Sequence, residues 1–434
     1  MTASAVRVLL LAEAANPEWT SVPLEGWSHS RAIQALVGGH IVTQIRNKAG
    51  FERAGMQPHQ FTAIDSEAVA APMYRLASFL RGGSNKGWTT VTAIQALAYP
   101  YFEHQVWKAF ESRLRAGEFD IVHRITPLSP TMPSLIAGKL KKLGIPFVLG
   151  PLNGGVPWPK EFDRARRRER EWLSYIRGAY KLLPGYRSTR RNAAAIICGS
   201  YATLEQMPKW CRDKCVYIPE NAIDPARFPD PGPKPEPKPL RVAFVGRLVP
   251  YKGADMLIEA AAPLVKSGAV VLDIIGDGPE LQSLRRLARD LGVEAGVEFA
   301  GWVPHASLHS RLAQAHVFGF PSVREFGGAV VLEAMAMGLV PIVIDYGGPG
   351  ELVTKETGIA LSLGTRAQVI DRLRQAILVL ASDPYRIASM SRASRTHVLE
   401  HFTWSTKAVS VRSVYQAVCE GSMPTETMTC SHKA

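Results

Sequence analysis

The chain has 434 residues, of which 46% are hydrophobic and 21% are charged, as is typical of a globular protein with two domains of ordinary size. No apolar run reaches the ~20 residues that a membrane-spanning helix needs, and VRVLLLAEA near the N-terminus is interpreted as a buried strand, not a signal peptide. The formal net charge of +13 indicates an acidic partner, and nucleic acid, an anionic membrane surface or a diphosphate-bearing substrate would each fit. The five cysteines have no metal-binding or redox spacing, which favours free thiols in a reducing cytoplasm.

The first half of the chain, residues 1–228, alternates short apolar segments with helical patterns. The predicted strands are VRVLLLAEA, GGHIVTQIRN, DIVHRI, PFVLGPL, AAIICGS and KCVYIPEN. Strands that are apolar throughout and alternate with helices indicate a parallel sheet covered on both faces. His123 lies at the end of one predicted strand, where a lone histidine is more often a core or capping residue than a catalytic one.

Residues 164–191 carry much of the positive charge of the first half. In RARRREREWLSYIRGAYKLLPGYRSTRR, basic residues are interleaved with aromatic and aliphatic ones. This pattern fits a helix lying in an anionic membrane interface. It fits equally a solvated helix that packs by its apolar side and pairs its Arg and Glu residues across turns.

A proline-rich segment, PDPGPKPEPKPL at residues 229–240, is the predicted linker between two domains, because prolines among charged residues do not pack into a core. The second domain, residues 241–396, again alternates strands and helices. Its predicted strands are RVAFVGRL, AVVLDIIGDG, GVEFAGWV, AHVFGFPS, VPIVID and GIALSL. Two such α/β domains facing each other would place the strand C-termini, and any ligand, in a central cleft. Residues 397–420 have helical spacing, and residues 421–434 are expected to be a disordered tail.

The stretch 321–353 predicts a loop, a helix and a strand in succession, with a turn at Gly327 and Gly328. A glycine turn at a helix start is a ready anion site, because backbone N–H groups and the positive end of the helix dipole meet there. Glu325 precedes the helix, and Glu333 lies inside it among apolar residues, where a charge is costly without a partner. A salt bridge would supply one, and so would the vicinal diol of a ribose, which suggests a nucleotide.

Two cations follow the first strand of the second domain. In FVGRLVPYKG, Arg247 comes just after the predicted strand and Lys252 stands in the following loop. Two cations at that point could clamp a diphosphate.

These motifs together resemble the donor-site signature of retaining glycosyltransferases of family 4, which have the GT-B fold of two Rossmann-like domains. The resemblance covers Glu325, Gly328 and Glu333, the Asp-x-Gly-Gly turn that begins at Asp345, and the element from Gly246 to Gly253. Two departures are Phe326, which stands one residue after the first glutamate where the family has it two after, and Asn221-Ala222 in place of Asn-Gly.

The resemblance implies roles for particular residues. Gly246, Arg247 and Lys252 would hold the donor phosphates together with Gly327 and Gly328. Glu333 would bind the ribose, and Glu325 and His123 would lie beside the donor sugar. Trp302 and Val303 would hold the nucleobase. The first domain would bind the acceptor and the second the nucleotide sugar, and residues 397–420 would form the terminal helix that crosses back to the first domain. The implied catalytic residues are His123, Glu325, Arg247 and Lys252, which act with neither a cofactor nor a metal, and the chain has no Asp-x-Asp pair.

The resulting prediction is a retaining hexosyltransferase that uses a nucleotide diphosphate sugar, with no nucleic-acid partner. The acceptor is a carbohydrate or a lipid-linked or envelope glycan, and the enzyme is cytoplasmic or peripheral at the inner membrane face. One alternative is a nicotinamide-dependent oxidoreductase, but no G-x-G-x-x-G follows either first strand. Another is a basic protein that binds nucleic acid or membrane through residues 164–191, which leaves the two glutamates and two cations unexplained. The base, the sugar and the acceptor stay open.

Overall fold

The computed structural model describes residues 6–69, 72, 88–163, 166, 179–182 and 185–422. These residues form two compact units. Unit 1 contains Met1–Gly154, Arg170–Glu220 and Trp404–Cys430, as far as these ranges are described. Unit 2 contains Gly155–Glu169, as far as it is described, and Asn221–Thr403. The units thus differ from the predicted ranges 1–228 and 241–396, because a segment joins the unit against which it packs, whatever its position in the chain.

Among the described residues of unit 1, seven strands form a sheet in the order β3-β2-β1-β4-β5-β6-β7. All of the pairings are parallel. The strands are β1 Val8–Ala12, β2 His40–Gln44, β3 Phe61–Ile64, β4 Ile121–Thr126, β5 Phe147–Leu152, β6 Ala195–Cys198 and β7 Cys215–Tyr217. Every predicted strand of this half is confirmed. The sequence did not predict β3, a four-residue edge strand whose two middle residues are only half-buried.

The helices of unit 1 cover both faces of its sheet, as expected of a parallel sheet. They are α1 Val22–Val37, α2 Lys48–Arg53, α3 Trp88–Arg115, α4 Ile136–Lys142, α5 Tyr186–Asn192 and α6 Tyr201–Gln206, with α14 Trp404–Cys419 at the end of the described chain. One apolar core contains Leu9, Val122 and Phe147. The other, on the opposite side of the same strands, contains Leu10 and Ile121.

In unit 2, six strands of the described chain form a second sheet in the order β10-β9-β8-β11-β12-β13. They are again parallel throughout. The strands are β8 Leu240–Val245, β9 Val270–Ile275, β10 Val297–Gly301, β11 Val317–Phe320, β12 Val340–Ile344 and β13 Ile359–Leu361. All six were predicted, so two parallel-sheet α/β domains are confirmed.

Helices of unit 2 connect these parallel strands, as crossover helices do in βαβ units. They are α7 Ala254–Lys266, α8 Leu281–Asp290, α9 His305–Leu312, α10 Ala329–Ala336, α11 Gly348–Leu352, α12 Arg366–Ser382 and α13 Pro384–His401. The predicted order of loop, helix and strand in 321–353 is confirmed by α10 and β12. Residues 397–420 contain a break, because Thr403 pairs with Ile223 in a parallel bridge between α13 and α14.

Three further expectations concern membrane spans, cysteines, and the basic segment with the C-terminal tail. No helix in the described part is long and apolar enough to cross a membrane. The described cysteines, Cys198, Cys211, Cys215 and Cys419, are free thiols. Most of the basic segment 164–191, and the tail beyond residue 422, lie outside the described residues.

Candidate active site

The predicted donor residues of unit 2, apart from Glu333 on helix α10, lie on loops at one edge of its sheet. Because the strands are parallel, their carboxyl ends meet at this edge. Arg247 follows β8, Glu325 follows β11, and Trp302 follows β10. Strand β8 leads to β9 on one side, whereas β11 lies on its other side. The connections therefore reverse direction between β8 and β11, and open parallel sheets bind their ligands at such a switch point.

Lys252 and Glu325 form an ion pair across this switch point. Lys252 ends the 3-10 turn Pro250–Lys252 after β8, and its ammonium also lies 5.0 Å from the ring centroid of Phe320. The two charged side chains are only 15% and 20% exposed, so each lowers the cost of burying the other. An ammonium group has three N–H donors, so Lys252 can contact a phosphate while it keeps Glu325. The pair was not apparent from the sequence, because Lys252 and Glu325 are far apart in the chain and lie on different loops.

Arg247 and Gly246 lie at the end of β8, beside this pair in the chain. The Gly246 N–H donates to the Ile275 carbonyl at 3.0 Å, which joins the ends of β8 and β9. The Arg247 side chain is exposed. Its position at the carboxyl edge is compatible with a diphosphate contact, and that role stays a prediction.

Glu333 is held by a histidine that the sequence did not single out. Its Oε1 accepts a hydrogen bond from His305 Nε2 at 2.7 Å, and His305 Nδ1 contacts the Arg227 guanidinium. A guanidinium only donates, so Nδ1 is the acceptor and Nε2 carries the proton. Glu333 therefore has His305 as the partner that the sequence left open between a salt bridge and a ribose. The motif WVPH weakly indicated that His305 belongs to the site, since it follows Trp302 and Val303, the predicted base contacts.

The glycine turn before α10 has no room for side chains. A Cβ at Gly327 would overlap the Asn221 side-chain amide, and Gly328 has a φ of +67°, a left-handed conformation that favours glycine. Gly328 caps α10 at the position where the helix dipole is positive. The turn thus has the backbone geometry expected of an anion site.

Trp302 and Val303 follow β10, an edge strand of the unit 2 sheet. Trp302 is 72% exposed, and Val303 is half-buried. Strand β10 is separated from β8 by one strand, so the axes of β10 and β8 lie roughly 10 Å apart. The structure connects their loop to Glu333 through His305, and it connects Lys252 to Glu325. A nucleobase contact by Trp302 or Val303 stays a prediction.

His123 belongs to unit 1, where it is fully buried in β4. One ring nitrogen bonds the Gly150 carbonyl and the other bonds the Tyr415 hydroxyl, each at 2.6 Å. Since a carbonyl only accepts, Nε2 carries the proton and Nδ1 accepts from Tyr415. Burial lowers the pKa of His123 to about 4, so the ring is neutral near pH 7. A contact between His123 and the donor sugar stays a prediction. It requires the hydrogen bond to Gly150 or the one to Tyr415 to break, so that a ring nitrogen becomes available.

Unit 1 also contains a buried charged cluster that the sequence did not reveal. Lys407 on α14 is 2% exposed and donates to the Glu220 carbonyl oxygen. Burial raises the pKa of Glu220 well above its usual range, and the neighbouring Glu25 carboxylate adds to this shift. Burial lowers the pKa of Lys407 to about 7. Because these residues are far apart in the chain, no local pattern marks them.

The two parallel-sheet units are those of the GT-B fold. Residues 228–391 match the family described as glycosyl transferases group 1. Two solved structures have the same fold: Anabaena HepE in complex with UDP, with a TM-score of 0.58, and sucrose-phosphate synthase from Thermosynechococcus elongatus, with a TM-score of 0.62. Both are 16% identical to the chain; the matches cover 95% and 96% of it and 100% of each structure.

Two relatives are more similar in sequence. One is a GDP-mannose-dependent monoacylated alpha-(1-6)-phosphatidylinositol monomannoside mannosyltransferase of Corynebacterium glutamicum, 28% identical over 65% of this chain and 74% of its own length. The other is the GDP-mannose-dependent alpha-(1-6)-phosphatidylinositol monomannoside mannosyltransferase of Mycolicibacterium smegmatis, 34% identical over 50% of this chain and 57% of its own length. The chain is thus similar to the group 1 glycosyltransferases over residues 228–391, and it resembles these two mannosyltransferases over 65% and 50% of its length.

Proposed function

We propose that the chain is a retaining mannosyltransferase that moves mannose from GDP-mannose to a hydroxyl group of a membrane glycolipid. The two relatives described above support the donor and the acceptor, since both are GDP-mannose-dependent enzymes named for a phosphatidylinositol mannoside. The observation that carries the proposal is the Lys252–Glu325 pair at the carboxyl ends of neighbouring strands β8 and β11. In this pair, Lys252 is a cation that can bind a diphosphate, and Glu325 is a carboxylate that can bind a sugar. The two side chains are in contact.

The protein groups favour departure of the diphosphate. When the bond between C1 of the sugar and the phosphate oxygen breaks, negative charge grows on the diphosphate. Lys252 and Arg247 stabilise that charge by direct ionic contact, and the start of α10 at Gly328 adds the positive end of a helix dipole. Such stabilisation is stronger in the transition state than in the bound donor, so it raises the rate of the chemical step.

Retention follows if the acceptor hydroxyl attacks C1 from the face that the diphosphate leaves. The acceptor oxygen then forms the new bond to C1, and the departing phosphate oxygen takes the hydroxyl proton. Glu325 positions the sugar for this attack and forms no covalent intermediate. Glu333, oriented by His305, accepts the ribose hydroxyls. We propose that the reaction needs no metal, because Lys252 and Arg247 supply the positive charge that a metal would otherwise provide.

A thermal-shift panel identifies the donor. A ligand at 100 times its Kd stabilises the folded state by about 2.7 kcal/mol, which raises the melting temperature of a unit of this size by roughly 5–10 °C. We expect GDP-mannose and GDP to give such a shift, and UDP-glucose and ADP-glucose to give much smaller ones. A shift with UDP-glucose alone would refute GDP-mannose as the donor, and no shift with any sugar nucleotide would refute the proposed function.

The stereochemistry and the metal requirement are tested on the product. Proton NMR of the new glycosidic bond should show the same anomeric configuration as the donor. Turnover in EDTA should equal turnover in added Mg²⁺, whereas a metal-dependent enzyme would lose activity in EDTA. An inverted product would refute the front-face mechanism without affecting the assignment of the donor.

The glycolipid acceptor also implies attachment to a membrane surface, which we propose for unit 1. Two observations support this: the apolar side chains of Leu135, Leu182 and Trp210 are 55%, 87% and 48% exposed, and Lys209 and Arg212 flank Trp210. Exposed apolar side chains next to basic ones bind anionic bilayers. The wild-type protein should sediment with liposomes that contain phosphatidylinositol at 50 mM salt, and less at 500 mM. Equal sedimentation with neutral liposomes would contradict an electrostatic contribution.

A further inference from the structure

The glycine-rich loop after β5 contributes a segment to unit 2. Gly154 is still held in unit 1, where its N–H donates to Thr203 Oγ1 at 2.9 Å. The next residues, Gly155–Glu169 as far as they are described, belong to unit 2. We refer to residues 155–162 as the strap. Its end is also packed, since Phe162 is 7% exposed.

Two side chains of unit 2 bind consecutive carbonyl groups of the strap. Arg324 Nε donates to the Val156 carbonyl at 3.1 Å, and the Tyr346 hydroxyl donates to the Pro157 carbonyl at 2.9 Å. Val156 is 3% exposed, and a Cβ at Gly347 would lie 2.8 Å from its Cγ2. The strap backbone is therefore fixed on the loops that follow β11 and β12.

Trp158 contacts the residues next to both members of the Lys252–Glu325 pair. Its ring meets that of Tyr251 edge-to-face, with centroids 5.9 Å apart and an interplanar angle of 87°. The Arg324 guanidinium carbon lies 5.0 Å from the Trp158 ring centroid. Tyr251 directly precedes Lys252, and Arg324 directly precedes Glu325.

We propose that Trp158 is a positioning residue of the donor site, which sets the placement of Lys252 and Glu325 through Tyr251 and Arg324. This inference rests on the proposed function of the Lys252–Glu325 pair. Edge-to-face ring packing and a cation over a ring both have preferred geometries. Trp158 therefore restricts the two loops to one relative arrangement. Since an error of about 1 Å in the position of a catalytic group can lower the rate about 100-fold, that restriction increases turnover.

The test compares donor turnover by wild type, Trp158→Ala and Trp158→Phe. Wild-type turnover is measured first, because its absence would refute the proposed function and this inference with it. We expect Trp158→Ala to lower kcat about 10- to 100-fold with KM for the donor within about threefold, since positioning acts on the transition state. Trp158→Phe keeps an aromatic ring and should recover most of kcat. Tyr385→Ala removes an aromatic side chain that is 89% exposed on α13 of the same unit, and it should leave kcat unchanged.

A double-mutant cycle with Arg324→Ala tests the route of the effect. If Trp158 acts through Arg324, the double variant is about as slow as the slower single variant. Multiplied losses in the double variant would refute this coupling. A Trp158→Ala enzyme with wild-type kcat would refute the positioning role. So would a variant that melts at a lower temperature but keeps wild-type kcat at temperatures where it is folded. In either case, turnover by the wild type would still support the proposed function.

Discussion

Replacement of Lys252 by methionine tests the most specific electrostatic feature of the site. Lys252→Met keeps the length of the side chain and removes its charge. The native Lys252 side chain is 15% exposed, so its contact with a diphosphate is worth more than a contact in water. Loss of one such donor costs about 3 kcal/mol, which lowers kcat/KM about 100-fold. The measurement is initial-rate turnover of the donor, together with GDP affinity by calorimetry.

The pairing with Glu325 adds a second expectation. Lys252→Met leaves the Glu325 carboxylate, 20% exposed, without its cation and next to the bound anion. Glu325→Gln in the Lys252→Met background should therefore bind GDP about tenfold more tightly than Lys252→Met alone, a gain of about 1.4 kcal/mol. GDP lacks the sugar, so the loss of the predicted sugar contact does not obscure this gain. Lys355→Met, at an exposed lysine of the same unit, is the control.

Two results would refute this reasoning. If Lys252→Met bound GDP as tightly as wild type, Lys252 would not contact the diphosphate. If the double variant bound GDP no better than Lys252→Met, the Glu325 charge would not act on the bound anion, and the ion pair would serve folding alone.

Three further predictions concern other parts of the molecule. His305→Ala should raise the donor KM about tenfold, because Glu333 loses the partner that orients it. His305→Gln can still donate a hydrogen bond and should restore KM. An unchanged KM in His305→Ala would contradict this role. Because the pKa of buried His123 is about 4 in the folded state and about 6.5 in the unfolded chain, stability should be lost as pH falls from about 6.5 toward 4, by up to about 3 kcal/mol. His123→Gln should remove most of that dependence in melting scans at pH 7.5 and 5, and equal pH dependence in both proteins would exclude His123 as its source. Gly348→Ala places a Cβ against a backbone carbonyl and should lower the melting temperature of unit 2, whereas Ala381→Gly on α12 should have only a small effect.

The fold was predictable because most of its strands are short runs rich in apolar residues. The run VPIVID became β12, whose five residues are all buried, and RVAFVGRL became β8, in which only Arg241 is exposed. Strand β3 was not predicted because it has only four residues and its two middle residues, Thr62 and Ala63, are half-buried. The break between α13 and α14 also escaped, since it depends on a bridge between Thr403 and Ile223, about 180 residues apart in the chain.

The site was predictable only as a set of residues. Motif spacing indicated Lys252, Glu325 and Glu333, because local chain geometry decides which side chains stand at a strand end or a helix start. The partners of these residues were not predictable. From the sequence alone, Glu333 could have paired with any cation of the chain. In the folded structure its partner is His305.

The sequence by itself thus determined the strands, the helices and the loops that bear the donor residues, since hydrophobic periodicity and glycine turns act over a few residues. Only the tertiary structure decided the pairings. The order β8-β11 brings Lys252 to Glu325, and the packing of the strap brings Trp158 beside their neighbours. A charge buried in a fold takes the partner that the strand order places within reach, and strand order is a property of the whole domain.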